Sequence, residues 1–179
     1  SLSDKAALRG LLGRLELKQE MSGDRVKTFL GGEDVSGLIR SADMGMKASR
    51  ISAIPEVREK LLKVQRSMAE KGGVVMEGRD IGTVVFPDAD FKFFVTASDE
   101  ERARRRYEEL KAGNPDLGFR DVLEEVKQRD HNDSNRAVAP LKRAEDAKEV
   151  DTTGKDVEKV VNELFEIVKA ASGARNKVG

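Results

Sequence analysis

Apolar residues recur at helical spacing between Asp4 and Lys18, where Ala7, Leu8, Leu11, Leu12 and Leu15 fall on one face. The pattern predicts an amphipathic helix over that span, with Ser3 as its cap. The stretch MSGDRVKTFLGGEDVSGLIR is broken by turn signals at Gly23-Asp24 and Gly31-Gly32, and it predicts two or three short strands. Met44 to Ser52 reads as a short helix, and Pro55 suits the first turn of a longer one running to Glu70. Val74, Val75 and Met76 form a short apolar run suited to a buried strand. Phe91 to Thr96 is a clearer strand. Ser98 then caps a helix that ends at Gly113, with Glu101 three residues on as in a capping box. A loop from Asn114 to Gly118 precedes a helix from Phe119 to about Asn135. Ala137 to Asp146 is mostly loop, and Lys148 to Asp151 is a short strand. The closing helix, Asp156 to Ala171, carries a stripe of Val157, Val160, Val161, Leu164 and Val168, and the tail from Ser172 is polar. Strands alternating with long helices predict an α/β fold with a parallel sheet, the antiparallel segment near 24–40 being a small excursion.

Composition narrows the chemistry. The 179 residues suffice for a domain with a real core, and 33 basic residues cancel 33 acidic ones. No global field selects nucleic acid or membrane, so local Arg clusters must carry any anion binding. The absence of cysteine excludes disulfides and thiolate metal sites, and the single histidine, His131, cannot hold a zinc ion alone. With no tryptophan and one tyrosine, Tyr107, platforms for stacking bases are poorly supplied, which argues against an RNA- or DNA-binding module. No apolar run approaches membrane-span length and no signal peptide is visible, so the expectation is a cytoplasmic protein with no membrane partner.

Two segments concentrate the remaining signal. In RDHNDSNRAVAPL, residues 129–141, Arg129, Asp133 and Arg136 share one helical face at spacings of four and three. Two guanidiniums outnumber one carboxylate there, and Arg grips phosphate with a bidentate fork. A solvated salt-bridge ladder would give the same spacing. In EGRDIGTVVFPDA, residues 77–89, Arg79 and Asp80 follow the apolar run at 74–76, where an α/β sheet places its ligands beyond the strand ends. A polar turn with a local ion pair is the plainer reading. Arg58 lies in the first turns of the helix opened by Pro55, where a cation opposes the helix dipole and so needs another reason to be there.

Together with SRISAIPEVREKLL at 49–62, these motifs closely resemble bacterial cytidylate kinase, a nucleoside monophosphate kinase. The resemblance runs from about Glu33 to about Asp151, and its motifs are long, ungapped and in the expected order. It implies a P-loop NTPase-like parallel sheet flanked by helices, with a small insert of short antiparallel strands and a helical lid. It implies a core at 1–20, 72–98 and 144–171, a CMP-binding insert at 21–71, a lid region at 99–143 and a tail at 172–179. The implied reaction is phosphoryl transfer from ATP, with Mg²⁺, to CMP or dCMP, by a cytoplasmic protein expected to be monomeric. The alternatives are a non-catalytic nucleotide-binding fragment and a UMP/CMP-type kinase.

The resemblance also distributes roles. Ser49, Arg58 and Asp80 fall on the cytosine and its nucleotide, Asp80 accepting from the exocyclic amino group. Arg129, Asp133 and Arg136 match positions that grip the sugar and phosphate of the acceptor, with Arg129 and Arg136 neutralising charge on the phosphoryl group in flight. Arg79 is a further candidate for that work. Arg102 and Arg105 approach the donor phosphates, while Arg104 also fits a charged solvent-facing helix paired with its glutamates. His131 has no implied role. The donor triphosphate needs a GxxxxGK[ST] loop, and none occurs: GVVMEGRD at 73–80 ends in Arg-Asp, and TTGKD at 152–156 lacks the upstream glycine. The family carries that loop ahead of the first residue here. The expectation is therefore that these residues omit the first strand, the phosphate loop and the following helix, and that a molecule of only these residues lacks kinase activity.

Overall fold

A computed structural model describes residues 4–23, 25–41 and 44–175. The fold is mixed α/β, the described residues holding a three-stranded antiparallel sheet and a two-stranded parallel one, consistent with a P-loop kinase fold. The chain divides into two compact units, one of Ser1–Ile81 with Gln128–Leu141 and one of Gly82–Lys127 with Lys142–Gly179.

The first unit opens with helix α1, Lys5–Gly13, capped by Asp4, whose Oδ1 accepts from the Ala6 and Ala7 amides at 3.1 and 3.0 Å. The expected cap, Ser3, lies outside the described residues. The helix stops five residues earlier than its sequence pattern ran, because Leu17–Ser22 is strand β1 and pairs along its whole length with β2, Arg25–Leu30. A ladder of interstrand hydrogen bonds outweighs a weak helical preference. Of the two expected turns, Asp24 in the first lies outside the described residues. The second uses Gly31 and Gly32 at φ 58° and 87°, a succession of left-handed residues suited to glycine, and leads into β3, Glu33–Asp34. Helix α2, Met44–Ser52, forms as expected. Helix α3, Pro55–Met68, begins on its proline and packs against α1, with Leu8 and Val57 buried.

Residues 72–80 are irregular, and this corrects the expectation of a buried strand at Val74–Met76. Val75 is fully exposed and Val74 partly so. An apolar run becomes a strand only where another strand receives its backbone groups, and no strand among the described residues pairs with it. Arg79 and Asp80 therefore leave from a bend rather than a strand end. The unit is completed by the last residues of helix α5, Phe119–Asn135, and by the segment to Leu141, whose amide donates to the Asp133 carbonyl at 2.8 Å.

The second unit is built on β4, Phe93–Thr96, and β5, Lys148–Asp151, paired in parallel from Phe93↔Lys148 to Thr96↔Asp151. Its core holds Val85, Ala97, Ala103, Val122 and Val150. Helix α4, Asp99–Leu110, is capped by Ser98 Oγ on the Glu101 amide at 3.2 Å. The reciprocal half of the capping box is replaced: the Ser98 amide donates to Thr153 Oγ1 at 3.0 Å, and Glu101, buried, takes Arg104 and Arg105 instead. Helix α6, Val157–Arg175, outruns its expected end and includes the first residues of the expected tail. Its Val160, Leu164 and Val168 are half-buried, whereas Val157 and Val161 are exposed. Among the described residues no helix is long and apolar enough to cross a membrane.

Candidate functional site

In the first unit four guanidiniums and three carboxylates converge. Helix α3 supplies Arg58, the bend supplies Arg79 and Asp80, and the end of α5 supplies Arg129, Asp130 and Asp133, with Arg136 just beyond it. At the centre is Asp133, which is 1% exposed. Its Oδ1 accepts from Ser49 Oγ on α2 at 2.7 Å and lies 3.9 Å from Arg136 Nη1. Its Oδ2 lies 3.4 Å from Arg79 Nε and 3.8 Å from Arg129 Nε. Asp80 is held by Arg58 Nη2 through its Oδ2, while its Oδ1 stands 3.6 Å from Arg136 Nη2. Arg79 Nη1 donates to Asp130 Oδ1 at 2.6 Å.

The electrostatics favour an anionic visitor. The cluster keeps a net positive charge, since the guanidiniums outnumber the carboxylates by one. Burial, and then the like charge of Arg136, lower the Arg58 pKa from its ordinary value. Asp133 Oδ2 and Arg136 Nη2 are buried and make no hydrogen bond. Leaving such atoms unsatisfied costs about 1–3 kcal/mol each. A ligand bearing both a hydroxyl and an oxyanion would satisfy both.

The Arg58–Asp80 pair borders a cavity of about 140 Å³. One wall is the α3 face at 58, 61, 62 and 65, and the others come from residues 77–81 and Arg136. Leu61 and Leu62 make that wall apolar, while Arg58, Asp80 and Gln65 supply donors and acceptors.

All seven residues expected at the acceptor, Ser49, Arg58, Arg79, Asp80, Arg129, Asp133 and Arg136, thus meet in one unit. Ser49 stands with Asp133 rather than with Asp80. Sequence reasoning passed over Asp130 and the Leu61, Leu62 and Gln65 wall. It also passed over Gly45 in the first turn of α2, where a Cβ would come within 3.0 Å of Arg129 Nη1. A glycine early in a helix was the available signal for that close approach.

Arg102 and Arg105 belong to the second unit, at the carboxyl ends of β4 and β5. Arg102 Nε donates to the Ala97 carbonyl at 3.1 Å and its head pairs with Asp99. Arg105 donates to Glu101 at 2.9 Å, to Thr152 Oγ1 at 3.0 Å and to the Thr152 carbonyl at 2.7 Å. Arg104 pairs with Glu101, and Arg106 with Glu109 at 3.1 Å, as the charged-helix reading expects. Among the described residues no group of three or more His, Cys, Asp or Glu side chains could hold a metal ion.

A family model described as cytidylate kinase matches residues 1–170. The chain belongs to the cytidylate kinase family. Similar proteins carry the same name. The cytidylate kinase of Caldanaerobacter subterraneus subsp. tengcongensis is 53% identical over 152 residues, 85% of this chain and 68% of that protein. That of Aeromonas salmonicida is 48% identical over 160 residues, 89% of this chain and 70% of that protein. That of Carboxydothermus hydrogenoformans is 44% identical over 178 residues, 99% of this chain and 78% of that protein. Membership makes the chain a nucleoside monophosphate kinase. The cytidylate kinase motifs at 49–62, 77–89 and 129–141 are the segments that converge on Asp133 and Asp80.

Proposed function

We propose that the protein transfers a phosphoryl group from ATP to CMP or dCMP, giving ADP and CDP or dCDP. The observation that carries this reading is the buried Asp133 carboxylate ringed by Arg79, Arg129 and Arg136, beside the Arg58–Asp80 cavity. Asp80, oriented by Arg58, accepts from the exocyclic amino group of cytosine, whereas uracil would present an acceptor to it. Asp133 and Ser49 take the sugar, Asp133 accepting from a ribose hydroxyl. Arg129 and Arg136 hold the acceptor phosphate and spread the charge that develops during transfer, and Arg79 assists them. Arg102 and Arg105 serve the donor side. The reaction needs position and countercharge more than proton transfer, which the site's single-sign excess supports.

Mg²⁺, when bound, would supply countercharge to the donor phosphates. Among the described residues no group of three or more His, Cys, Asp or Glu side chains could hold it. In this reading 21–71 form the acceptor-binding insert, 99–143 the lid region, and 1–20, 72–98 and 144–171 the core. The reading carries with it a monomer working in the cytoplasm, and sedimentation velocity tests the monomer.

The test is twofold. Calorimetric titration should show saturable CMP binding well above UMP and AMP, and equal affinity for all three would overturn the acceptor assignment. The protein as its cell makes it should convert CMP and ATP to CDP and ADP. A polypeptide of these residues alone, which contain no GxxxxGK[ST] segment, is expected to bind CMP without forming ADP. Robust CMP-dependent ADP release from it would refute that expectation.

A further inference from the structure

We propose that Asp130 is a positioning residue, which keeps the Arg79 guanidinium from closing on the Asp133 carboxylate as a hydrogen-bonded fork and leaves it available to the acceptor phosphate. This rests on the acceptor-pocket reading above. Arg79 leaves from the irregular segment at 72–80, where no ladder of hydrogen bonds fixes the backbone, so side-chain contacts must set where its head sits. Two carboxylates compete for that head from one face of α5, at positions 130 and 133. Asp130 Oδ1 accepts from Arg79 Nη1 at 2.6 Å, while Asp133 Oδ2 stands 3.4 Å from Arg79 Nε.

Asp133 is the stronger lure. It is almost wholly buried, and its Oδ2 makes no hydrogen bond. A guanidinium released from Asp130 would close on that oxygen as a fork, because charge-assisted pairs strengthen in a low dielectric. The oxygen assigned to the sugar would then be covered, and the cation assigned to the phosphate would be spent on the protein. Asp130 prevents this by taking one arm of the fork.

The sign of the effect separates this role from bulk electrostatics. Asp130→Asn removes a negative charge beside an anion site, and on charge alone that tightens CMP binding. Loss of positioning weakens it. The experiment is calorimetric CMP titration of the wild type, D130N, D130E, R79A and R79A/D130N, with thermal unfolding of each variant alongside. D130N should bind CMP about tenfold more weakly, the low end for a hydrogen bond to a charged group. In the R79A background the same change should matter less than about twofold, because a residue acting through Arg79 has nothing left to position. D130E should recover part of the loss. CMP binding as tight as wild type in D130N, or an equal loss in both backgrounds, overturns the inference alone. R79A binding CMP like wild type sinks the role of Arg79 in the pocket and the inference with it. Should D130N not fold, D130S against R79A/D130S, which also lacks the carboxylate, gives the same comparison.

Discussion

Replacing Asp80 by Asn removes one charge at nearly constant shape. In the native protein its carboxylate pairs with Arg58 and faces Arg136 Nη2 at 3.6 Å. These side chains are 12%, 14% and 9% exposed, so the pairing is largely screened from water. Removing one partner of a buried pair costs about 3–5 kcal/mol. The Asn carbonyl still accepts a hydrogen bond and some water reaches the group, so we expect about 2 kcal/mol. Against a typical domain stability of about 5–15 kcal/mol the variant stays folded. At a urea slope of about 2 kcal/mol per molar, its midpoint falls by about 1 M. The effect on specificity is larger. A well-placed base contact discriminates by about 1–3 kcal/mol, roughly 5- to 150-fold. An amide offers both a donor and an acceptor, so it serves uracil as readily as cytosine. The CMP-to-UMP ratio of dissociation constants, read by calorimetry, should collapse to within a few-fold, and Asp80→Ala should relax it too. A folded D80N protein with an unchanged ratio would refute the assignment of Asp80 to the base.

Gly45→Ala should split stability from binding. A helix gains up to about 1 kcal/mol from Gly to Ala, while the new methyl presses on Arg129 Nη1 at 3.0 Å; the melting temperature should hold or rise as CMP affinity falls several-fold, and unchanged affinity would show that Arg129 yields freely. Ser98→Ala removes the cap of α4 and should cost about 1 kcal/mol in chemical denaturation, with no effect implying that Thr153 or water takes over. Asp146 has its pKa lowered, first by its hydrogen bond from Lys92. A depressed carboxylate contributes stability that is present above its unfolded pKa and lost as pH falls through its folded one. Asp146→Asn should therefore lower stability at neutral pH and flatten the acid limb of the stability–pH curve, and an unaltered acid limb would remove this pair from the account.

Sequence reading succeeded where the cause is local. Helix α2 and strand β5 match their expected bounds, Pro55 opens α3, and Ser98 caps α4. It failed where the cause is a partner distant along the chain. Leu17 and Lys18 close the expected helix but belong to β1, which is claimed by Arg25–Leu30. Val74–Met76 has strand chemistry and no strand beside it among the described residues. Site residues divide in the same way. Helical spacing alone brings Arg129 to Asp133, while Arg136 lies just past the end of α5. Spacing could not reveal that Arg58 reaches Asp80 across 22 positions, or that Ser49 reaches Asp133 across 84. Those residues are linked by the family resemblance of their motifs, not by periodicity. Asp130 stood one residue from Arg129 in the most informative motif, yet its value depends on where the irregular segment carries Arg79.

Cocrystallisation with CMP puts the account at most risk. The prediction is density for the nucleotide with its exocyclic amino group on Asp80, its ribose on Asp133 and Ser49, and its phosphate between Arg129 and Arg136. CMP bound away from this cluster, or a well-ordered site left empty at saturating CMP, would contradict it.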